Sequence, residues 1–377
     1  MKSQSAPPAK ASISTKNLQH ALKLVSGIAE RATTIPVLQA LRLEQRSEGL
    51  AAEATNLDLS IRVLLGQESG LTAPIITPAH KLAAWAKLLT ADDVAISATD
   101  ARMTVCCGRA RAVLPLMSAG LWPELKFAVE GAELTLGVEE LSRALGFAIL
   151  ATSVEESRYT LNTVLLAGDG QHLRLVATNG HTLLVYTLPN KATINEMLPR
   201  GMVKALLPLL AEAQGVGLEF GADAILATLP GDAPVFLSSR RITGRFPQWQ
   251  PVLPKAEDRM AIALKAGDLL RSLERCALLS PVESSAVRFE FSADELKMTS
   301  ANAEAGEAEE VLSCAGPKQP IRISLNADYV LEFMKKLPAD GEITVLPPPD
   351  ATQAMLFQAS PAKEECVDYV VMPMRNA

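Results

Sequence analysis

Aromatic, histidine and cysteine residues are all in short supply in this chain, and each shortage closes off a class of function. Phe, Trp and Tyr make up only 4% of the 377 residues, so the cores must be built from Leu, Val, Ile and Ala. There are four histidines, His20, His80, His172 and His181, and none pairs with Cys or a carboxylate at metal-ligand spacing. No metal and no cofactor is expected. The five cysteines (Cys106, Cys107, Cys276, Cys314, Cys366) are an odd number without ligand spacing. They read as reduced, buried thiols of a cytosolic protein rather than a disulfide framework. No apolar run approaches the roughly 18 residues of a membrane span. A Gly-rich phosphate loop, a nucleophile elbow and an HExxH motif are all missing. His181 could be taken for a catalytic base, but a lone His beside Gly180 reads better as a wall of a binding site. The acidic run Glu307 to Glu310 reads as solvated or interfacial. Together these absences argue against an enzyme. The first ten residues lack an apolar stretch and read as a tail, not a signal peptide.

What is present is a long-period repeat. Three stretches resemble one another. The first is Val37 to Leu43 with Thr55-Asn56-Leu57-Asp58. The second is Val164-Leu165-Leu166 with Thr178-Asn179-Gly180-His181. The third is Val287 to Phe291 with Thr299-Ser300-Ala301-Asn302. The marker threonines Thr55, Thr178 and Thr299 lie 123 and 121 residues apart. A period that long is one domain used three times, not a solenoid unit. The expected divisions are a tail at 1–10 and domains at 11–126, 127–255 and 256–377.

Each third carries two segments with apolar residues at helical spacing. The first helices are expected at 15–31, 137–153 and 265–280, and the second at 78–90, 199–214 and 326–338. Pro78 and Pro199 open two of the second helices, and Asn326 caps the third. Pro208 should kink or end the helix that contains it. Strand patterns fill the rest, so the class is α+β, with helices over largely antiparallel sheets.

The net charge of −6 argues, taken alone, against nucleic acid. Its distribution argues the other way. The six helical segments hold thirteen Lys or Arg against eight Asp or Glu, and the remainder is strongly acidic. Basic helices sharing one side would attract a polyanion. The plainer account is that Lys and Arg are good helix formers on solvated faces, and two of the six segments are neutral or slightly acidic.

The motifs Arg158-Tyr159-Thr160-Leu161-Asn162, Val176 to His181, Gly244-Arg245-Phe246-Pro247 with Val252-Leu253-Pro254, and Tyr369 to Arg375 occur in that order. On these residues the chain resembles the bacterial DNA polymerase III beta subunits, the replicative sliding clamps, from about residue 12 to the C-terminus. The resemblance implies a DNA-clamp fold of three domains and a head-to-tail homodimer closing a ring, with helices lining the hole and sheets outside. It implies a non-catalytic processivity factor in the cytoplasm, at the nucleoid. Its partners would be encircled double-stranded DNA, the DNA polymerase III alpha subunit, the clamp loader and other proteins carrying clamp-binding motifs, with no membrane.

Carried residue by residue, the family's peptide cleft would have Leu161, Thr178, Gly180, His181, Leu183, Pro247, Val252, Val370 and Met372 as its floor. Arg158, Asn326, Tyr329, Pro373, Met374 and Arg375 would flank it. Met suits a groove that accepts several peptides. DNA contacts would fall to Arg31, Lys81, Arg158, Tyr159, Arg200 and Lys204, and the subunit contact to Ala112 and Leu114 against Leu278 and Leu279. Thr160 and Thr182 depart from the family's usual aromatic and basic residues. Ala112 stands where a phenylalanine is common; losing a buried aromatic costs roughly 3–5 kcal/mol in a core, so a more readily opened ring is expected. Both the main clamp of a cell and a paralogue fit this pattern.

Overall fold

Three asparagines mark the period of this chain more faithfully than the threonines do. The structure, a computed structural model, describes residues 9–66, 70–99 and 101–374. At Asn56 the side-chain Oδ1 accepts from the backbone N–H of Asp58 (3.2 Å) and Leu59 (2.8 Å). Asn179 accepts in the same way from His181 (2.9 Å) and Thr182 (2.8 Å). Asn302 accepts from Glu304 at 2.9 Å. These asparagines are 123 and 123 residues apart. Thr55 and Thr178 immediately precede the turn, and each hydroxyl donates to the carbonyl four residues on, Leu59 and Thr182. Thr299 does not belong to this set. It lies inside a strand and faces Arg288 and Glu309; the third counterpart of Thr55 and Thr178 is Ala301.

The first repeat runs β1 (Ala9–Ser14), α1 (Thr15–Ile28), β2 (Ala40–Arg46), β3 (Gly49–Thr55), β4 (Leu59–Leu64), β5 (Ile75–Pro78), α2 (Ala79–Ala86), β6 (Asp93–Ala98), β7 (Arg102–Cys107) and β8 (Ala110–Pro115). The second runs β9 (Ala132–Thr135), α3 (Val138–Ala148), β10 (Thr163–Asp169), β11 (His172–Thr178), β12 (Thr182–Pro189), β13 (Thr193–Pro199), α4 (Arg200–Leu210), β14 (Gly217–Phe220), β15 (Ala224–Leu229) and β16 (Val235–Arg240). The third runs β17 (Ile262–Lys265), α5 (Ala266–Leu278), β18 (Ala286–Phe291), β19 (Glu295–Asn302), β20 (Gly306–Ser313), β21 (Ile321–Asn326), α6 (Ala327–Met334), β22 (Glu342–Leu346), β23 (Met355–Ala359) and β24 (Cys366–Val371). Every repeat is therefore a βαβββ pattern written twice.

Each helix ends close to where its apolar spacing fades. Pro78 and Pro199 are the last strand residues before α2 and α4, where their fixed φ suits the switch into helix. Asn326 caps α6 through Asp328 N–H at 2.9 Å. Pro208 sits inside α4, which stops two residues later at Leu210. Two expectations need correction. Val37 to Gln39, read as strand, forms a single 3-10 turn led by Pro36, and the strand starts at Ala40. Residues 9 and 10, assigned to the tail, open β1, which pairs with β6.

The chain divides into two compact units: the described residues up to Leu141 with Gly201–Arg241, and Ser142–Arg200 with the described residues from Ile242 on. In unit one, β5-β2-β3-β4 continues through β4·β16 into β16-β15-β14-β9, an antiparallel sheet of eight strands. In unit two, β13-β10-β11-β12 continues through β12·β24 into β24-β23-β22-β17. Two four-stranded sheets remain, β1-β6-β7-β8 in unit one and β20-β19-β18-β21 in unit two. Helices pack on the strands: α1 lies on β3, β4 and α2, burying Leu18, Ala21, Leu22 and Val25. In the same way α5 packs on α6, β19 and β20. Each buried Leu of this kind contributes about 1.5–3 kcal/mol.

Candidate functional site: an apolar groove in unit two

The groove begins at the Asn179 turn. Gly180 takes φ of +91° there, a conformation that favours glycine, and a Cβ at this position would meet the Arg158 guanidinium at 3.4 Å. The turn sets His181 just before β12 and places Leu183 opposite Val370 of β24. Beneath lies a core of Leu165, Val176, Leu183, Val185, Leu346, Leu356 and Val370. The segment after β16 folds back over this face, with Phe246, Trp249 and Leu253 packed on it. Gly244 starts that segment at φ of +132°, where a Cβ would come within 3.0 Å of Thr160 and 3.3 Å of Tyr159. The Gly-Arg-Phe-Pro motif thus begins where the backbone lies close against the Thr160 and Tyr159 side chains.

The result is a cavity of about 380 Å³, of the size that holds small ligands. All nine residues expected at the floor line it: Leu161, Thr178, Gly180, His181, Leu183, Pro247, Val252, Val370 and Met372. Thr182, which the resemblance singles out as a departure from the family, lines it too, as do Gln248 and Trp249, which were not expected; the packing of Trp249 is a tertiary fact with no local signal. Of the flanking set, Tyr329 stacks on His181, ring centroids 6.3 Å apart. Arg158 reaches the Asn179 carbonyl at 3.4 Å and ion-pairs with Glu155 at 3.1 Å. Asn326 is occupied as a helix cap. Pro373 follows Met372, but Met374 leaves the groove: its N–H donates to Ser324 O (2.9 Å), and it lines another cavity with Arg288, Thr299 and Glu309. Arg375 lies outside the described residues.

Family models match the chain as the N-terminal domain of the DNA polymerase III beta subunit over residues 9–126, the central domain over 135–248 and the C-terminal domain over 250–375. The chain is 31% identical to the beta sliding clamps of Salmonella typhimurium and Escherichia coli K12, covering 97% of this chain and 100% of each relative. This chain belongs to the DNA polymerase III beta subunit family. These are sliding clamps, processivity subunits without catalytic activity. The crystal structure of the clamp from Pseudomonas aeruginosa bound to griselimycin superposes with a TM-score of 0.88 at 27% identity, covering 98% of this chain and all of that one. That from Bartonella birtlesii gives 0.89 at 25% identity over the same shares.

The other positions carried from the family are distributed as follows. Arg31, Lys81 and Lys204 are exposed in unit one. In unit two Tyr159 is exposed, whereas Arg200 is half-buried and donates to the Thr152 hydroxyl at 2.9 Å; burial lowers its pKa. Leu278 is 79% exposed, Leu279 and Ala112 are partly covered, and Leu114 is buried in its own repeat. On β8, Arg111 and Val113 therefore present more surface than Leu114 does.

The register also shows what occupies the groove's position in the other repeats. In unit two the row across the sheet is Leu165, Val176, Val185. In unit one the same row is Arg42, Glu53, Arg62. Glu53 is wholly buried there, with Arg62 at 2.7 Å and Arg46 at 3.2 Å, and Phe127 lies over the Arg62 guanidinium at 4.2 Å. The floor pair Leu183 and Val370 is replaced by Ser60 and Ser238. In the third repeat the row is Arg288, Thr299, Glu309, and it ends at the free edge of β20.

Proposed function

We propose that the chain is a DNA sliding clamp that encircles duplex DNA as a head-to-tail homodimer and tethers polymerase through the unit-two groove. The observation that carries this reading is the pair of unfinished sheets. Each completed sheet joins the last strand of one half-repeat to the last strand of another, β4 to β16 and β12 to β24. The strands left in the matching positions are β20 and β8, both edges of four-stranded sheets. A bare edge is a template for pairing. Here β20 carries Glu307, Glu309 and Glu310, while β8 with its turn carries Arg109 and Arg111. Opposite charge favours β20 of one copy against β8 of a second and disfavours like against like. Two such joints make a closed assembly. Leu278 and Val282, both strongly exposed, supply apolar surface beside the joint. Ala112 adds little, which is consistent with a ring that opens readily.

Domains at 11–126, 127–255 and 256–377 are the units of this reading. DNA is held by topology, with phosphate attraction from Arg31, Lys81, Arg158, Arg200 and Lys204, and Tyr159 beside them, weak enough for sliding. The groove takes peptide segments of the DNA polymerase III alpha subunit, the clamp loader and other clamp-binding proteins, and the protein works in the cytoplasm at the nucleoid. Among the described residues no helix is long and apolar enough to cross a membrane.

The decisive experiment loads the protein onto closed circular DNA and washes in high salt. Retention on the circle and loss once it is cut supports encirclement; equal loss from both identifies an ordinary ionic binder and ends this reading.

A further inference from the structure

The first two repeats each carry a nine-residue loop after the first helix, and both loops are closed in the same way. Glu30 N–H donates to Leu38 O at 2.8 Å; 123 residues on, Ser153 N–H donates to Leu161 O at 2.9 Å. The first loop holds Arg31, and the second holds Arg158 and Tyr159, all three exposed. The third repeat differs. Pro281 stands at the start of its loop with no N–H to give, Ser285 N–H donates back to Pro281 O at 2.8 Å, and Val282-Glu283-Ser284 between them hold no cation.

The base of each long loop is fixed by a side chain at the opening of the repeat's second helix. His80, the second residue of α2, has Nε2 3.1 Å from Ala29 O and 3.2 Å from Glu30 O. A carbonyl only accepts, so the ring carries a proton on Nε2. These carbonyls need a donor from elsewhere, because the last turn of α1 has no basic residue and the chain leaves it extended at Ala29. At the other end of the helix pair Gln19 donates to Ala86 O (2.8 Å) and Leu89 O (3.1 Å), so α1 and α2 hold each other at both ends. Beyond Arg31, Thr33 O accepts from Gln39 at 3.3 Å and the Thr33 hydroxyl accepts from Ile35 N–H at 3.2 Å. Arg31 and Ala32 therefore bridge two held points. In repeat two Arg200, the first residue of α4, donates from Nε to the buried Thr152 hydroxyl at 2.9 Å, and that hydroxyl donates to Ile149 O at 2.8 Å. Thr152 lies 123 residues after Ala29, so the two contacts fall at the same place in the repeat.

We propose that His80 and Arg200 are positioning residues for DNA: each ties the base of its loop to the helices, and so holds Arg31, or Arg158 with Tyr159, ready for phosphate. This rests on the reading of those loop residues as DNA contacts. A cation on a fixed backbone has less freedom to lose on meeting a phosphate than one on a loop that must first be ordered. Arg200 does this in addition to attracting phosphate itself, whereas His80 acts through the loop. The third repeat keeps the tie with different chemistry, Asp328 accepting from the Ser285 hydroxyl at 2.6 Å, on a loop without a cation.

The test measures binding of the full-length protein to a labelled duplex of about 30 base pairs by fluorescence anisotropy across a salt series. Arg31→Ala should weaken binding by about tenfold at about 50 mM salt and lower the salt slope by about 0.9. His80→Leu, with every Lys and Arg in place, should do the same, and the double variant should be no weaker than Arg31→Ala alone. His80→Gln keeps an N–H donor of similar reach and should bind within about twofold of the unaltered protein. In the second loop Thr152→Val, which removes the acceptor of Arg200, should match Arg158→Ala and add nothing to it. Additive losses within either pair, or no loss from His80→Leu beside a clear one from Arg31→Ala, overturn the positioning role and leave the DNA contacts standing. If Arg31→Ala and Arg158→Ala both bind as tightly as the unaltered protein, the reading of the loops as DNA contacts falls, and this inference with it. Should His80→Leu fail to fold, the Thr152→Val and Arg158→Ala pair decides alone.

Discussion

Matching register positions in the two eight-stranded sheets have the same backbone and opposite chemistry. In unit two, three register positions hold Leu165, Val176 and Val185, the floor pair is Leu183 and Val370, and the surface is an open apolar groove. In unit one those positions hold Arg42, Glu53, Arg62, Ser60 and Ser238, and the surface is a closed ion-pair ladder roofed by Phe127. The fold supplies a shelf at each joint between repeats; side chains decide whether it becomes a site. A charged ladder pairs its own charges and offers a ligand no apolar surface to cover. An apolar floor cannot satisfy itself, so covering it is favourable by about 25 cal/mol per Å².

The sharpest way to break the comparison is to remove the anion on which the ladder turns. Glu53→Leu takes from Arg62 its 2.7 Å partner and leaves Arg46 with Glu44 alone, a loss of about 3–5 kcal/mol. The change should appear in calorimetry as a large fall in the transition of unit one, with peptide binding in unit two preserved. A neutral effect would show that the ladder contributes nothing.

Unit two has a buried ion pair of its own, away from the groove, and its carboxylate makes stability depend on pH. Glu365, 6% exposed, accepts from Arg143 at 2.7 Å on both oxygens and from the Tyr186 hydroxyl. The Arg143 hydrogen bonds hold its carboxyl below the usual glutamate range. A folded-state pKa below the unfolded one means stability that is present above the unfolded value and lost as pH falls through the folded one. Glu365→Gln should therefore cost about 2–4 kcal/mol at neutral pH and little below the glutamate range. A loss of the same size at every pH would point to shape rather than charge.

Grafting the other surface is a smaller perturbation. Arg42→Leu, Ser60→Leu, Glu53→Val and Arg62→Val together write the unit-two row into unit one. Replacing a buried ion cluster by apolar residues of similar volume is neutral or stabilising by about 1–4 kcal/mol. The grafted protein should keep its fold and gain apolar-dye binding in unit one; a strongly destabilised graft would mean that the backbones differ more than their registers do.

Much of this architecture can be read from the residues, and the parts that cannot share a cause. The helices and the Asn326 cap follow from local spacing and side-chain chemistry. The nine floor residues came from motif likeness and converge on one cavity, because the motifs sit at strand ends and turns whose geometry is local. Gln248 and Trp249 carry no local signal, because their place depends on where the segment after β16 folds. The resemblance puts Met374 at the flank of the groove; the backbone bond to Ser324 turns it away. Thr299 shares its residue type with Thr55 and Thr178 but not their position: Ala301 stands beside Asn302 as Thr178 stands beside Asn179.

The smallest prediction tests that turn directly. Leu57 occupies the position that Gly180 fills in the second repeat, and it holds φ of +77°, a conformation costly to a side chain. The Asn56 side chain and the Thr55 hydroxyl over-determine the turn, the latter accepting from Leu57 N–H at 3.0 Å. The strained residue is held by its neighbours and not by its own preference. Leu57 is 47% exposed, so its removal forfeits little burial. Leu57→Gly relieves about 1–2 kcal/mol of backbone strain against about 0.5–1 kcal/mol of unfolded-state entropy. A gain of about 0.5–1 kcal/mol in the unit-one transition should result. A loss would mean that the Leu57 side chain contributes packing that its exposure does not suggest, and that the two turns, alike in their hydrogen bonds, are stabilised by different means.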